Sequence, residues 1–206
     1  MKTTILFFLT ILSLVGCSKD SAGSKTNQIF QLPPETQTGA NTFGVTINGK
    51  VYVPRDPTGF NLGPSGHGIY YAGSTTDDWS EIRIIDGASA TGFKMTIHFK
   101  NIILNALVDY PLKNSNFQDG LDSSSVDHIY FKIWDQKIGN YGYYGSIIDE
   151  GNIKITKFFG STTVQYILSG TFKGKFIRSD NPNDFIYIND GRFDLNLNTI
   201  QNAKFP

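Results

Sequence analysis

The residues of this 206-residue chain with chemistry to offer are three histidines, a scatter of carboxylates, one cysteine and an aromatic run rich in glycine. A zinc site needs three or four convergent ligands, usually including one close pair. His67, His98 and His128 show neither His-x-His nor His-Glu-x-x-His spacing, so no metal is expected. Asp77, Asp78, Glu81, Asp86, Asp149 and Glu150 could supply the acid and nucleophile of a glycosidase if two of them faced each other across strands. Nearly all fall at predicted turns, where Asp bonds its own backbone, and no catalytic residue is assigned. Asp119-Gly120-Leu121-Asp122 and residues 181 to 184 lack the regular oxygen spacing of a calcium loop. There is no Gly-x-Ser-x-Gly, and residues 139 to 145 lack the Lys and the strand-to-helix context of a phosphate loop, so no cofactor is expected either.

What those residues do offer is stacking. Tyr141, Tyr143 and Tyr144, with Trp134 and Trp79, could present flat faces to sugar rings or partner side chains, since aromatics with a polar tip suit wet interfaces. On a strand, Tyr141 and Tyr143 share one face and Tyr144 takes the other. The competing reading is cross-strand packing, with glycine permitting a bulge. The candidate ligand-binding residues are therefore Tyr141, Tyr143, Trp134 and Trp79.

The lone cysteine has a different task. Lys2 and the apolar run from Ile5 to Val15 have the charge and length of an export signal, too short for a comfortable membrane span. The run ends in Leu14-Val15-Gly16-Cys17, which resembles the lipobox of bacterial lipoproteins. That resemblance implies cleavage after Gly16, diacylation of the Cys17 thiol and acylation of the new amine. Two or three acyl chains hold a protein to a bilayer effectively permanently, at about 0.8 kcal/mol per buried methylene. By the sorting rules of such lipoproteins, Ser18 after the cysteine favours the outer membrane. Lys19-Asp20 resembles part of the charged tag that sends some Bacteroidetes lipoproteins to the cell surface.

The elements that would position these residues are strands. Sixteen Phe, ten Tyr and 21 Gly suit pleated, half-buried surfaces joined by turns. With Lys2 in the removed segment, 17 basic and 18 acidic residues remain with no basic cluster, which argues against nucleic acid as a partner. Residues 1 to 16 read as signal peptide. Residues 17 to 41, small, polar and stiffened at Pro33-Pro34, read as a lipidated tether, and residues 42 to 206 as a single all-β domain. Phe43, Val45 and Ile47 alternate up to Asn48-Gly49, and Val51 to Val53 follow, the pattern of a type I′ hairpin. Further strands are predicted at 69 to 72, 81 to 85, 93 to 99, 128 to 134, 141 to 147, 152 to 158, 164 to 176 and 185 to 197, with a weaker one within 102 to 112. Nine or ten short strands about ten residues apart predict an antiparallel β-sandwich, with a β-barrel as the alternative.

Three further segments carry a resemblance: Leu32-Pro33-Pro34-Glu35-Thr36-Gln37-Thr38-Gly39-Ala40-Asn41-Thr42-Phe43-Gly44, then Leu168-Ser169-Gly170-Thr171-Phe172, and Asn189-Asp190-Gly191-Arg192-Phe193-Asp194. Together they resemble a group of Bacteroidetes outer-membrane lipoproteins of unknown function. Many of its members carry a cysteine after the NTFG segment, where this chain has Val45. The resemblance implies a lipid-anchored β domain and brings no catalytic residues. The functional expectation is a non-enzymatic binding or accessory module of the cell envelope, with a glycan or an envelope protein as ligand. The alternatives are a polysaccharide hydrolase and a purely structural component.

Overall fold

The computed structural model describes residues 30–59, 66–73, 79–118, 126–161 and 163–206. The signal segment, Cys17, Asp77, Asp78 and residues 119 to 122 lie outside the described residues. The fold is all-β and antiparallel: β1 (Thr42–Ile47), β2 (Lys50–Tyr52), β3 (Ile69–Gly73), β4 (Ser80–Ile85), β5 (Lys94–Phe99), β6 (Asp109–Pro111), β7 (His128–Asp135), β8 (Asn140–Ser161), β9 (Val164–Arg178) and β10 (Asn181–Asn196). A short 3-10 turn, Ile200–Asn202, follows.

All ten strands belong to one sheet in the order β2-β1-β10-β9-β8-β7-β5-β4-β3, with β6 also pairing β8. The sheet curls strongly into a half-barrel. This replaces the expected sandwich, and the reason lies in the three longest strands. The segments 141 to 147 and 152 to 158 are not two strands but one, the 22-residue β8. Its Asp149-Glu150-Gly151 stretch, predicted as a turn, is a bulge with Asp149 at φ 61°. The register slips there between Ser146 and Gly151, and a matching slip occurs on β10 between Ile188 and Gly191. Bulges bend a strand and increase its twist, so β8, β9 and β10 wrap round instead of breaking into two stacked sheets. β8 can then serve β7 with its first half and β6 with its second.

Just past β2 the chain touches the turn that follows β4. Arg55 forms an isolated bridge with Asp86 at the end of β4, and its side chain clasps the Asp86 carboxylate through Nε at 2.6 Å and Nη2 at 2.7 Å. The inner face carries the core: Phe43, Val45, Ile82, Ile84, Met95, Ile97, Phe131, Leu168, Phe172 and Phe176, all essentially buried. Asn48 and Gly49 both adopt positive φ, 50° and 77°, as the predicted hairpin requires.

Candidate functional site

Two places on the sheet hold the side chains that the sequence singles out. The first explains the three resembling segments. β9 and β10 pair Gly170 with Phe193 and Gly191 with Phe172, so each ring lies over the glycine of the neighbouring strand. Asp194 lies opposite Ser169 and is 1% exposed. Its two oxygens accept six hydrogen bonds of 2.6 to 3.2 Å, from the hydroxyls of Thr36, Thr38 and Ser169 and the backbone amides of Thr38, Gly39 and Ala40. Burial by itself pushes the Asp194 carboxyl up, but the bonds from Thr36, Ser169, Gly39 and Ala40 outweigh it and bring it down to about 2.

Residues 30 to 41 thus form a strap laid on the outer face, where composition alone reads a free tether. Arg192 donates to the Pro33 carbonyl at 3.0 Å, Lys157 to that of Gln37 at 2.7 Å, and the Asn41 side chain accepts from the Asn196 amide at 2.8 Å. Pro33 and Leu32 sit on Gly44, where a Cβ would collide with them. Between strap and sheet lies a cavity of about 150 Å³ lined by Thr36, Thr42, Thr156, Thr171 and Arg192. Its one guanidinium is already held by both oxygens of Asp190, and the site is a clasp.

The second place is the outer face of β4, β5, β7 and the first half of β8. Alternation puts Glu81 and Arg83, Lys94, Thr96 and His98, His128, Tyr130, Lys132 and Trp134, and Tyr141 and Tyr143 on this face. One row across it runs Glu81, His98, His128. His98 lies on the face of β5 opposite Met95 and Ile97, yet all three residues of this row are fully buried. The cover comes from Trp79, stacked on the His98 ring at 6.3 Å, and from the segment ending at residue 118, whose Ser115 hydroxyl lies 2.9 Å from His128 Nδ1. Glu81, in the strand predicted from residue 81, accepts from Arg83 at 2.6 and 2.8 Å and faces His98 Nδ1 at 2.9 Å. Burial pushes the His128 ring down, neighbouring His98 adds to this, and the ring comes to about 4 despite Glu81 and a bond to the Gln118 backbone. His67 stands apart, 3.4 Å from Asp56. Among the described residues no three His, Cys, Asp or Glu side chains converge as a metal site.

Farther along the same face the predicted aromatics meet. Trp134 pairs with Tyr141, ring centroids 5.3 Å apart and nearly perpendicular. Lys132 pairs with Tyr143, and its ammonium sits 4.2 Å above the Tyr141 ring. The Tyr141 hydroxyl reaches the Ala90 carbonyl at 3.3 Å, so the turn between β4 and β5 walls one side. Tyr143 is 46% exposed, whereas Tyr144 points into the core, as alternation predicts. Trp79 is not part of this cluster. β4 and β7 run level and parallel through β5, with Glu81 beside His128 across that strand, so Trp79 and Trp134 are separated by eight residues, roughly 25 Å at about 3.3 Å per residue. Lys94 and Lys132, which the sequence reading passes over, stand directly opposite each other in this cluster. The alternation of residues 93 to 99 puts Lys94 on the polar face, but only the register shows which residue it meets.

In comparisons with family models, with curated proteins and with solved structures, nothing matches this chain.

Proposed function

We propose that this protein is a lipid-anchored component of the outer membrane, held through Cys17, whose β domain is a non-enzymatic binding module for envelope glycans. The lipobox-like segment and the resemblance to Bacteroidetes lipoproteins support the anchor. The observation that carries the binding reading is Tyr143, left 46% exposed beside the Trp134–Tyr141 pair and the Lys132 ammonium. A tyrosine face flanked by an ammonium and a second aromatic ring offers a sugar both an apolar plane and polar neighbours. A hydrolytic reading has less support, because Glu81 and Asp86 are each held in a two-point grip by an arginine and neither faces a second free carboxylate among the described residues.

Trp134 makes the site its own reporter. Titration of the full chain with envelope polysaccharide fragments should change tryptophan emission saturably, without release of shorter products. Tyr143→Ala should weaken binding about three- to tenfold, the worth of one aromatic contact. Affinities unchanged in Tyr143→Ala and in Tyr141→Ala would move the ligand elsewhere.

A further inference from the structure

The platform has one feature that packing alone does not explain. Lys94 of β5 and Lys132 of β7 are direct cross-strand partners on the same face. Like charges placed directly opposite on a sheet destabilise it, which is why opposite charges usually fill such pairs. Among the described residues no acid answers this one. On the same face Glu81 is held by Arg83 and His98; past β4 Asp86 is held by Arg55; and Asp135, one residue past Trp134, is turned to the other face and held by Arg178. Among the described residues neither lysine makes an ion pair, and the Lys132 ammonium lies over the Tyr141 ring. Burial, and then the charge of Lys132, lower the pKa of Lys94. A sequence that keeps a repulsive pair beside an exposed aromatic platform breaks a local rule where function is the usual reason.

We infer that the ligand of this platform is an acidic saccharide, with its carboxylate seated between Lys94 and Lys132 and its ring against Tyr143. This rests on the glycan reading above and narrows it. The anion supplies the charge that the sheet omits, and the ring selects a sugar over a bare acid. Lys132, fixed above Tyr141, gives the carboxylate a positioned partner, while the more exposed Lys94 closes from the other side.

The test uses the full chain, carrying Trp79→Phe so that the emission followed is that of Trp134, in a polyoxyethylene detergent, which carries neither charge nor sugar. The probes are hexuronate oligomers of several linkages, their carboxyl-reduced counterparts, and oligoglutamate of matched charge. The expected result is saturable binding of at least one uronate that weakens steeply with salt. Lys94→Gln with Lys132→Gln should reduce it at least tenfold and flatten its salt dependence. The same double variant should be no less stable to urea than the wild type, which separates lost recognition from lost folding. Reduced oligomers binding as tightly as the uronates would overturn the acidic class and leave the glycan platform standing. Binding of neither kind of oligosaccharide would remove both. Oligoglutamate bound as tightly, with no loss in Tyr143→Ala, would make the ligand an acidic peptide and overturn the saccharide.

Discussion

Replacing Asp194 with Asn is the most demanding perturbation of this fold, because it keeps the side chain's shape and removes only what the clasp uses. The carboxyl stands at about 2 in the folded chain against an ordinary value of 3.8. At about 1.36 kcal/mol per pH unit, that difference amounts to about 2.4 kcal/mol of stabilisation carried by the charge. The amide also turns donors toward donors, since Gly39 N–H and the Ser169 hydroxyl share one oxygen and Thr36, Thr38 and Ala40 share the other. A buried donor left without a partner costs about 1 to 3 kcal/mol, so the total should be at least about 3 kcal/mol at neutral pH. With a urea slope of about 2 kcal/mol per molar, the unfolding midpoint should fall by about 1.5 M. The pH dependence adds a second check. A carboxyl with a depressed folded pKa stabilises fully above its unfolded value and loses that contribution as pH falls toward its folded value. The gap between wild type and Asp194→Asn should thus hold at pH 6, shrink below about pH 3.8 and near pH 2 keep only the part due to the unpaired donors. A midpoint shift under about 0.3 M at pH 6, or a gap as wide at pH 2 as at pH 6, would refute the clasp as the source of the stabilisation.

His128 should leave its own mark in a different window. Its folded value of about 4 lies below the ordinary 6.5, so the unfolded chain takes up the proton first and stability falls between pH 6.5 and 4, by about 3 kcal/mol in all. His128→Asn should flatten that part of the profile in urea titrations and leave the step below pH 3.8 in place. Gly170→Ala places a methyl 2.7 Å from the Phe193 ring and 2.6 Å from the Lys154 carbonyl, and should cost about 2 kcal/mol by thermal unfolding. Arg55→Met removes the two-point grip on Asp86 and should cost about 1 to 2 kcal/mol, with faster exchange at the amides of residue 55 and Gly87, which donate to the carbonyls of Ile85 and residue 55.

The β elements were legible because their signals are local. Asn48-Gly49 between alternating apolar runs marks its hairpin, and the alternation of Phe93, Met95, Ile97 and Phe99 marks the inner face of β5. The shape of the sheet was not, because Asp149-Glu150-Gly151 carries the same residue types whether it forms a turn or a bulge. Only the pairing of Ser146 and Gly151 with β9 decides which. The aromatic cluster was half legible. Tyr141, Tyr143 and Trp134 sit on consecutive strands, so a hairpin reading brings them together, whereas placing Trp79 requires the register of β4 through β7. The burial of His98 was not legible because its cover is not written in its own strand; Trp79 and the segment before residue 118 supply it. The strap was misjudged for a similar reason. Its Thr, Gly and Pro content matches a free linker, and the partner that orders it, Asp194, lies about 155 residues later.

That strap also fixes how the molecule would carry a mechanical load. Any pull on the chain ahead of the strap reaches the Asp194 clasp before it reaches β1. Thr36, Thr38, Gly39 and Ala40 all grip the same carboxylate, so several bonds share the tension at one point instead of opening in turn like a zipper. β1 itself is paired on both sides, by β2 and β10, and stays shielded while the clasp holds. The domain would thus hang from a strain relief, much as a cable is clamped to its housing ahead of the solder joint.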